Sequence, residues 1–170
     1  MAATVEWKVY TAGGTENPSS GSASNLNLMS IDAYDSDGTQ YTQYPIAVPQ
    51  SGTNYSYERW VRLKFSGTFN QIDNIKLWLD SWSKSDSNLE LYGGVTDTFS
   101  DPVNTQSSVA TTPSANWTGV SNAFDITPSG GITSSPGYSK YFVMQLAVPS
   151  TVTTPGDVGT MVIKVQYDES

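Results

Sequence analysis

Apolar and polar residues alternate along short stretches of the chain, and Gly, Pro, Asn and Ser residues separate these stretches. A period of two is typical of half-buried strands, and no apolar stripe with the helical period of 3.6 extends beyond two turns. The pattern predicts about eight strands, drawn from residues 5–9, 26–31, 44–48, 57–69, 72–81, 89–95, 124–126, 140–148 and 159–167. Their spacing predicts one all-β domain, 1–170, folded as an antiparallel β-sandwich of the jelly-roll or immunoglobulin type.

The two longest central strands each have one apolar and one polar face. Because consecutive side chains point to opposite sides of a strand, one face carries Val61, Leu63 and Phe65 and then Ile75, Leu77 and Leu79. Three of the five Trp residues fall on the opposite, charged faces. Trp beside basic residues is typical of the centre of a protein–protein interface. The predicted partner-binding residues are therefore Trp60, Arg62, Lys76, Trp78 and Trp82.

These Trp residues could also have either of two alternative roles. The irregular segment 97–122 is long for a loop in a compact domain, and it could fold across the sheet and bury the rings within the same chain. Alternatively, Trp78, Trp82 and Tyr92 could form a stacking platform for sugars, as in carbohydrate-binding modules. A register shift or a β-bulge near Gly67 would also move side chains to the other face.

The chain contains neither Cys nor His, which excludes disulfides, thiolate nucleophiles, His-ligated zinc and the Ser-His-Asp triad. Glycoside hydrolysis needs only two carboxylates. Glu58 and Glu90 lie in predicted strands, but no sequence pattern brings them together. We therefore expect no enzymatic activity, no catalytic residue and no cofactor.

The acidic stretch DAYDSDG, residues 32–38, suggests a calcium loop. It matches an EF-hand loop at the third, fifth and sixth positions, but Ala33 stands at the first ligand position and Tyr44 at the twelfth. An Asp-Gly turn between short strands explains the stretch better. No metal site is predicted.

The formal net charge of the chain is −8, and an acidic protein repels the phosphate backbone of nucleic acids. Five of the eight basic residues lie between positions 59 and 84, interspersed with Asp73 and Asp80. We expect no nucleic-acid partner. No run approaches the ~18 apolar residues of a membrane span, and the start MAATVEWKVY lacks a secretory signal. We therefore expect synthesis in a cytoplasm and no membrane association.

The chain as a whole resembles the β-sandwich structural proteins of tailed phages and related virions, of the capsid decoration or minor capsid type. The resemblance lies in the Ser/Thr/Asn/Gly-rich strands, the lack of Cys and His, the C-terminal hairpin 142–169 and a central element formed by Trp60, Arg62, Phe65, Gly67 and Phe69. It implies a non-enzymatic protein, made in the host cytoplasm and located on the virion, that decorates or cements a capsid. It also implies a homo-oligomer, with a trimer favoured, and a capsid or other virion protein as partner. A carbohydrate-binding module and a host-recognition fibre or adhesin domain remain alternatives.

Overall fold

The computed structural model describes residues 2–17, 26–35, 38–154, 156 and 158–170. Within them, short 3-10 turns lie at Ala12–Gly14, Gln40–Thr42, Ser114–Asn116 and Val120–Asn122. The remaining regular structure is strand: β1 (Thr4–Thr11), β2 (Thr15–Glu16), β3 (Thr53–Tyr55), β4 (Arg59–Ser66), β5 (Ile72–Trp82), β6 (Glu90–Thr96), β7 (Thr112–Pro113), β8 (Phe124–Asp125), β9 (Gly137–Tyr138), β10 (Tyr141–Pro149) and β11 (Met161–Glu169).

The strands form two antiparallel sheets that pack face to face. The large sheet has the order β2-β1-β4-β10-β6-β7, with β9 alongside β4 and β3 alongside β10. The small sheet has the order β11-β5-β8. The predicted all-β antiparallel sandwich is therefore confirmed.

The main core lies between the sheets and is built by the alternation of apolar side chains. The inward residues Val61, Leu63 and Phe65 of β4 pack against Ile75, Leu77 and Leu79 of β5. Val5, Trp7 and Val9 of β1 and Ile163 and Val165 of β11 complete the same cluster. The faces of β4 and β5 that the period-two pattern assigned to the core are therefore buried in this cluster.

Strand β5 contains two irregularities that shift which side chains face inward. Between the pairs Asp73–Asp168 and Lys76–Gln166, and again between Leu79–Ile163 and Ser81–Val162, β5 has one residue more than β11. Asn74 has a φ of 48° at the first of these sites. The extra residues are accommodated as bulges, so the apolar residues that face inward stand at 72, 75, 77, 79 and 82.

The outer face of the large sheet is also apolar, and the segment 97–111 covers it. Trp60, Tyr10 and Val143 project from that face and pack against Ala110, Phe99 and Val109 of the segment. The chain then pairs with β6 through β7, and Trp117 enters the main core, where its ring lies 5.4 Å from that of Phe142. The irregular chain from 97 to 117 therefore covers the outer face of the large sheet and adds Trp117 to the core on the inner face.

Two predicted strands, 26–31 and 44–48, lie in described residues and join no sheet. In the first of these, the chain wraps around the fully buried guanidinium of Arg59 and pairs with no strand. The two terminal nitrogens of Arg59 donate to the carbonyls of Asn27 and Ala33 at 2.6 and 2.8 Å. Burial lowers the pKa of Arg59 to about 10, while Asp32 and Asp35 oppose that shift. The short strands β2, β3, β7 and β9 were not predicted, because two or three residues are too few to show a period.

The turn after β5 is joined to the loop after β10 by a buried carboxylate. Asp86 accepts hydrogen bonds from the backbone N–H groups of Asn88, Thr153 and Thr154 at 2.8, 2.8 and 3.1 Å. These bonds favour the ionised form and hold the pKa of Asp86 well below its ordinary value of 3.8.

Replacing Gly94 by Ala tests the direct packing of segment 97–111 on β6. An added Cβ would lie 1.9 Å from the backbone oxygen of Val109, whereas a Cβ on Gly93 would meet only side-chain rings at 2.9–3.2 Å. Because side chains can shift and the backbone of a packed segment cannot, we expect Gly94→Ala to destabilise the fold by about 3 kcal/mol and Gly93→Ala by about 1 kcal/mol. Urea unfolding of both variants measures this, and a larger loss for Gly93→Ala would contradict the packing.

Replacing Asp86 by Asn should destabilise the protein at neutral pH, because the amide cannot accept all of these hydrogen bonds. A carboxylate with a lowered pKa contributes its full stability above the unfolded pKa of 3.8 and loses it as the pH falls towards the folded pKa. The difference between wild type and Asp86→Asn should therefore shrink below pH 3.8 in denaturant titrations carried down to about pH 2. Asp97→Asn, at a side chain that is 73% exposed, is the control and should show no such difference.

Candidate functional site

Trp60 is completely buried and belongs to the interior, although sequence parity placed it on a binding face. Its indole N–H donates to Glu58 at 2.8 Å, and its ring contacts Phe99 and Tyr141 edge-on at 5.2 and 5.6 Å. The prediction that Trp60 binds a partner is wrong, because the segment 97–111 of the same chain covers the ring. Intramolecular cover, one of the alternatives left open by the sequence, is what the structure shows for this residue.

Arg62 is half-buried and is held by neighbours within the chain. Its Nε donates to the carbonyl of Ser139 at 2.6 Å, and its guanidinium lies over the rings of Tyr138 and Tyr141 at 4.9 and 4.5 Å. These contacts orient Arg62 along the outer face of the large sheet. It therefore lies on the opposite sheet from Lys76 and Trp78 and forms no common surface with them.

Trp82 lies on the inner side of the small sheet and not on the predicted outer face. The bulge at Asp80 and Ser81 reverses the parity, so the Trp82 ring packs against the core clusters and its N–H donates to Val158 at 2.9 Å. Lys84 lies over the exposed side of the ring, 4.6 Å from its centroid. The placement of Trp82 beside Trp78 was wrong for this reason.

Lys76 and Trp78 do lie on the outer face of the small sheet, as predicted. Across the strand pair, Lys76 stands opposite Gln166 and Trp78 opposite Lys164, and Lys164 forms an ion pair with Asp80 at 3.0 Å. Val162, next along β11, is 40% exposed. We call this surface, formed by Lys76, Trp78, Asp80, Val162, Lys164 and Gln166, the Trp78 face. Trp60, Trp78 and Trp82 all lie in the described part of the chain, and of these three only Trp78 is on an outer sheet face, where it is half-buried.

The predicted sugar platform does not assemble. Trp78 lies on the Trp78 face, Trp82 faces the core, and Tyr92 packs against the cluster on the outer face of the large sheet. The basic residues at positions 59–84 are dispersed in the same way, since Arg59 is buried, Lys64 lies on the large sheet and Lys76 on the small one. These residues are close along the sequence, but the two-sheet fold places them apart, on different faces or in the interior.

The acidic stretch closes turns within the protein. Asp35 is fully buried and accepts hydrogen bonds from the backbone of Thr39 and Gln40 and from the side chain of Asn27. Asp37 lies outside the described residues. Across the part of the chain that the structure describes, no three Asp or Glu side chains cluster as a metal site would require.

The two strand carboxylates considered for catalysis have separate structural partners. Glu58 binds the indole of Trp60, and Glu90 accepts hydrogen bonds from the backbone and hydroxyl of Ser114 at 2.9 and 2.5 Å. Glu58 also accepts a hydrogen bond from the backbone N–H of Val103 at 3.4 Å, so each carboxylate anchors a loop to the large sheet. In the described residues, no helix has the length and apolar character needed to cross a bilayer.

Comparison with protein-family models, curated proteins and solved structures found no match to this chain.

Alanine substitutions at two Trp residues separate the structural from the surface role. Trp60→Ala should lower the free energy of unfolding by about 3–5 kcal/mol, because it removes a buried ring and the shorter of the two hydrogen bonds to Oε2 of Glu58. Trp78→Ala should change it by no more than about 1 kcal/mol. Guanidinium unfolding followed by Tyr and Trp fluorescence measures both. A loss for Trp78→Ala as large as that for Trp60→Ala would show that Trp78 is a core residue.

Proposed function

We propose that this protein is a non-enzymatic structural component of a virion, which docks on a capsid surface through the Trp78 face and decorates or cements it. The observation that carries the docking surface is the half-buried Trp78 on the outer face of the small sheet, beside the 40% exposed Val162. The general resemblance of the chain to capsid decoration proteins supports a virion as the target.

The composition of the Trp78 face supports a protein partner. Trp is the side chain most often found to dominate the binding energy of interfaces, provided that surrounding residues exclude water from it. Lys76, Lys164 and Asp80 frame the indole with both signs of charge, and such a rim favours one orientation of a partner over others. The flat, strand-built face also positions these side chains more rigidly than a loop would.

The proposal includes self-association as a closed ring, with a trimer expected. A ring of identical subunits presents several copies of the Trp78 face to a lattice at once, and multiple weak contacts then give strong attachment. A protein that binds only the assembled shell stabilises that shell by its binding free energy. This mechanism needs no catalytic group.

Co-sedimentation with capsids tests the docking. Capsids purified from the virus that encodes the chain, with its gene disabled, should bind the added wild-type protein and carry it to the pellet. Trp78→Ala should weaken that binding by about tenfold or more, as expected for loss of an interface centre. Tyr41→Ala removes an aromatic side chain that is 41% exposed outside the Trp78 face, and it should bind as wild type does.

Light scattering of the purified protein over a concentration series tests the ring. A species of three times the 18.4 kDa chain mass is expected. A monomer at every concentration would contradict the ring, and wild-type protein that stays in the supernatant with capsids would contradict the docking. Equal binding by Trp78→Ala and wild type would assign the contact to another surface.

A further inference from the structure

A second candidate binding surface lies away from the Trp78 face, at the end of the large sheet. There β3 pairs with β10 beyond the start of β4, and a shallow groove of about 480 Å³ opens beside it. Its lining comes from Ser30 and three short stretches, residues 45–47, Thr53–Tyr55 and 104–106. None of these side chains carries a charge at neutral pH, although the chain as a whole has a net charge of −8.

Both walls of the groove are fixed by hydrogen bonds. Gln145, which is only 1% exposed, donates from its side-chain amide to the carbonyls of Val103 and Thr105 at 3.2 and 2.8 Å, and its oxygen accepts from the N–H of Ser107 at 2.8 Å. These bonds hold the backbone of residues 104–106 at Thr105 and at the two flanking residues, Val103 and Ser107. On the opposite wall, Asn54 donates to the carbonyl of Ala47 at 2.8 Å. A ligand would therefore meet a site whose backbone is already ordered, which lowers the entropic cost of binding.

The groove offers neutral hydrogen-bonding groups beside an aromatic ring. Asn104, Thr105 and Gln106 are exposed, and their side chains form no hydrogen bond with any described residue. Each carboxamide presents two donors and an acceptor that accepts two hydrogen bonds, which matches the paired hydroxyls of a sugar ring. Tyr55, half-buried in the lining, adds an apolar ring face with a polar hydroxyl.

We propose that this groove is a binding site for a neutral oligosaccharide. Tyr55 supplies the surface against which a sugar ring packs, and the amides of Asn104 and Gln106 bind its hydroxyls. The absence of charge in the lining selects against sialylated, sulfated and other acidic glycans, because the groove supplies no counter-charge to replace their lost hydration. The site is independent of the proposed capsid docking, since it lies on the large sheet and shares no residue with the Trp78 face.

A printed array of neutral and acidic oligosaccharides is the first screen, with the intact protein as probe. Titration of ¹⁵N-labelled protein with maltotriose, mannotriose and chitotriose then locates any binding. We expect the amide signals of residues 45–47, 53–55 and 104–106 to shift, and the indole signal of Trp78 to stay unchanged. The double variant Asn104→Ala/Gln106→Ala should weaken the affinity by about tenfold or more while it unfolds at the wild-type denaturant concentration.

Two matched variants serve as controls for the sugar experiment. Gln166→Ala removes an exposed amide from the Trp78 face, and Trp78→Ala removes the half-buried indole of that face. Both should keep full sugar affinity. Affinity lost in Trp78→Ala but kept in the double variant would place the sugar on the Trp78 face and overturn the groove. Failure to bind any neutral glycan, a preference for acidic glycans, or binding of an extended peptide in place of sugars would overturn it as well.

Discussion

Strand β10 is buried on both faces, and this burial requires the large sheet to be covered on both sides. Seven consecutive residues of this strand, 142–148, are buried, so the large sheet cannot leave either side open to water. The small sheet covers one side with the inward residues of β5 and β11. The other side is covered by an irregular segment, because the exposure of that apolar area would cost roughly 25 cal/mol per Å².

The segment 97–111, which covers the outer side of the large sheet, explains several features that otherwise look unrelated. Trp60 is buried because the segment 97–111 lies over it, and Gly94 has no side chain because the backbone of Val109 passes directly above. Gln145 projects to the same side, and its amide binds the segment through the carbonyls of Val103 and Thr105 and the N–H of Ser107. The cover is therefore attached by specific hydrogen bonds as well as by apolar contact, which gives it a unique position on the sheet.

The same constraint determines which surfaces remain for binding. Most aromatic rings of the described chain are used in the two apolar layers. The outer face of the small sheet carries charged residues that have no need of burial, so Trp78 stays only partly buried there. The neutral groove forms in the gap between β3 and residues 104–106, which are the fixed edge of the covering segment. Both candidate surfaces thus lie at boundaries of the packing arrangement.

Period-two alternation was enough to predict the fold class, the six long strands and the inward residues of β4 and β5, because it is a local property of each strand. It also contained one signal that was missed: the apolar spacing 72, 75, 77, 79, 82 in β5 has two steps of three, which indicates two bulges. The packing of the two sheets and their covering segment sets the rest. It places Trp60 and Trp82 in the interior, separates Arg62 from Lys76 and forms the groove at β3. Each of them depends on which distant segment covers a face, and alternation along one strand carries no information about that segment.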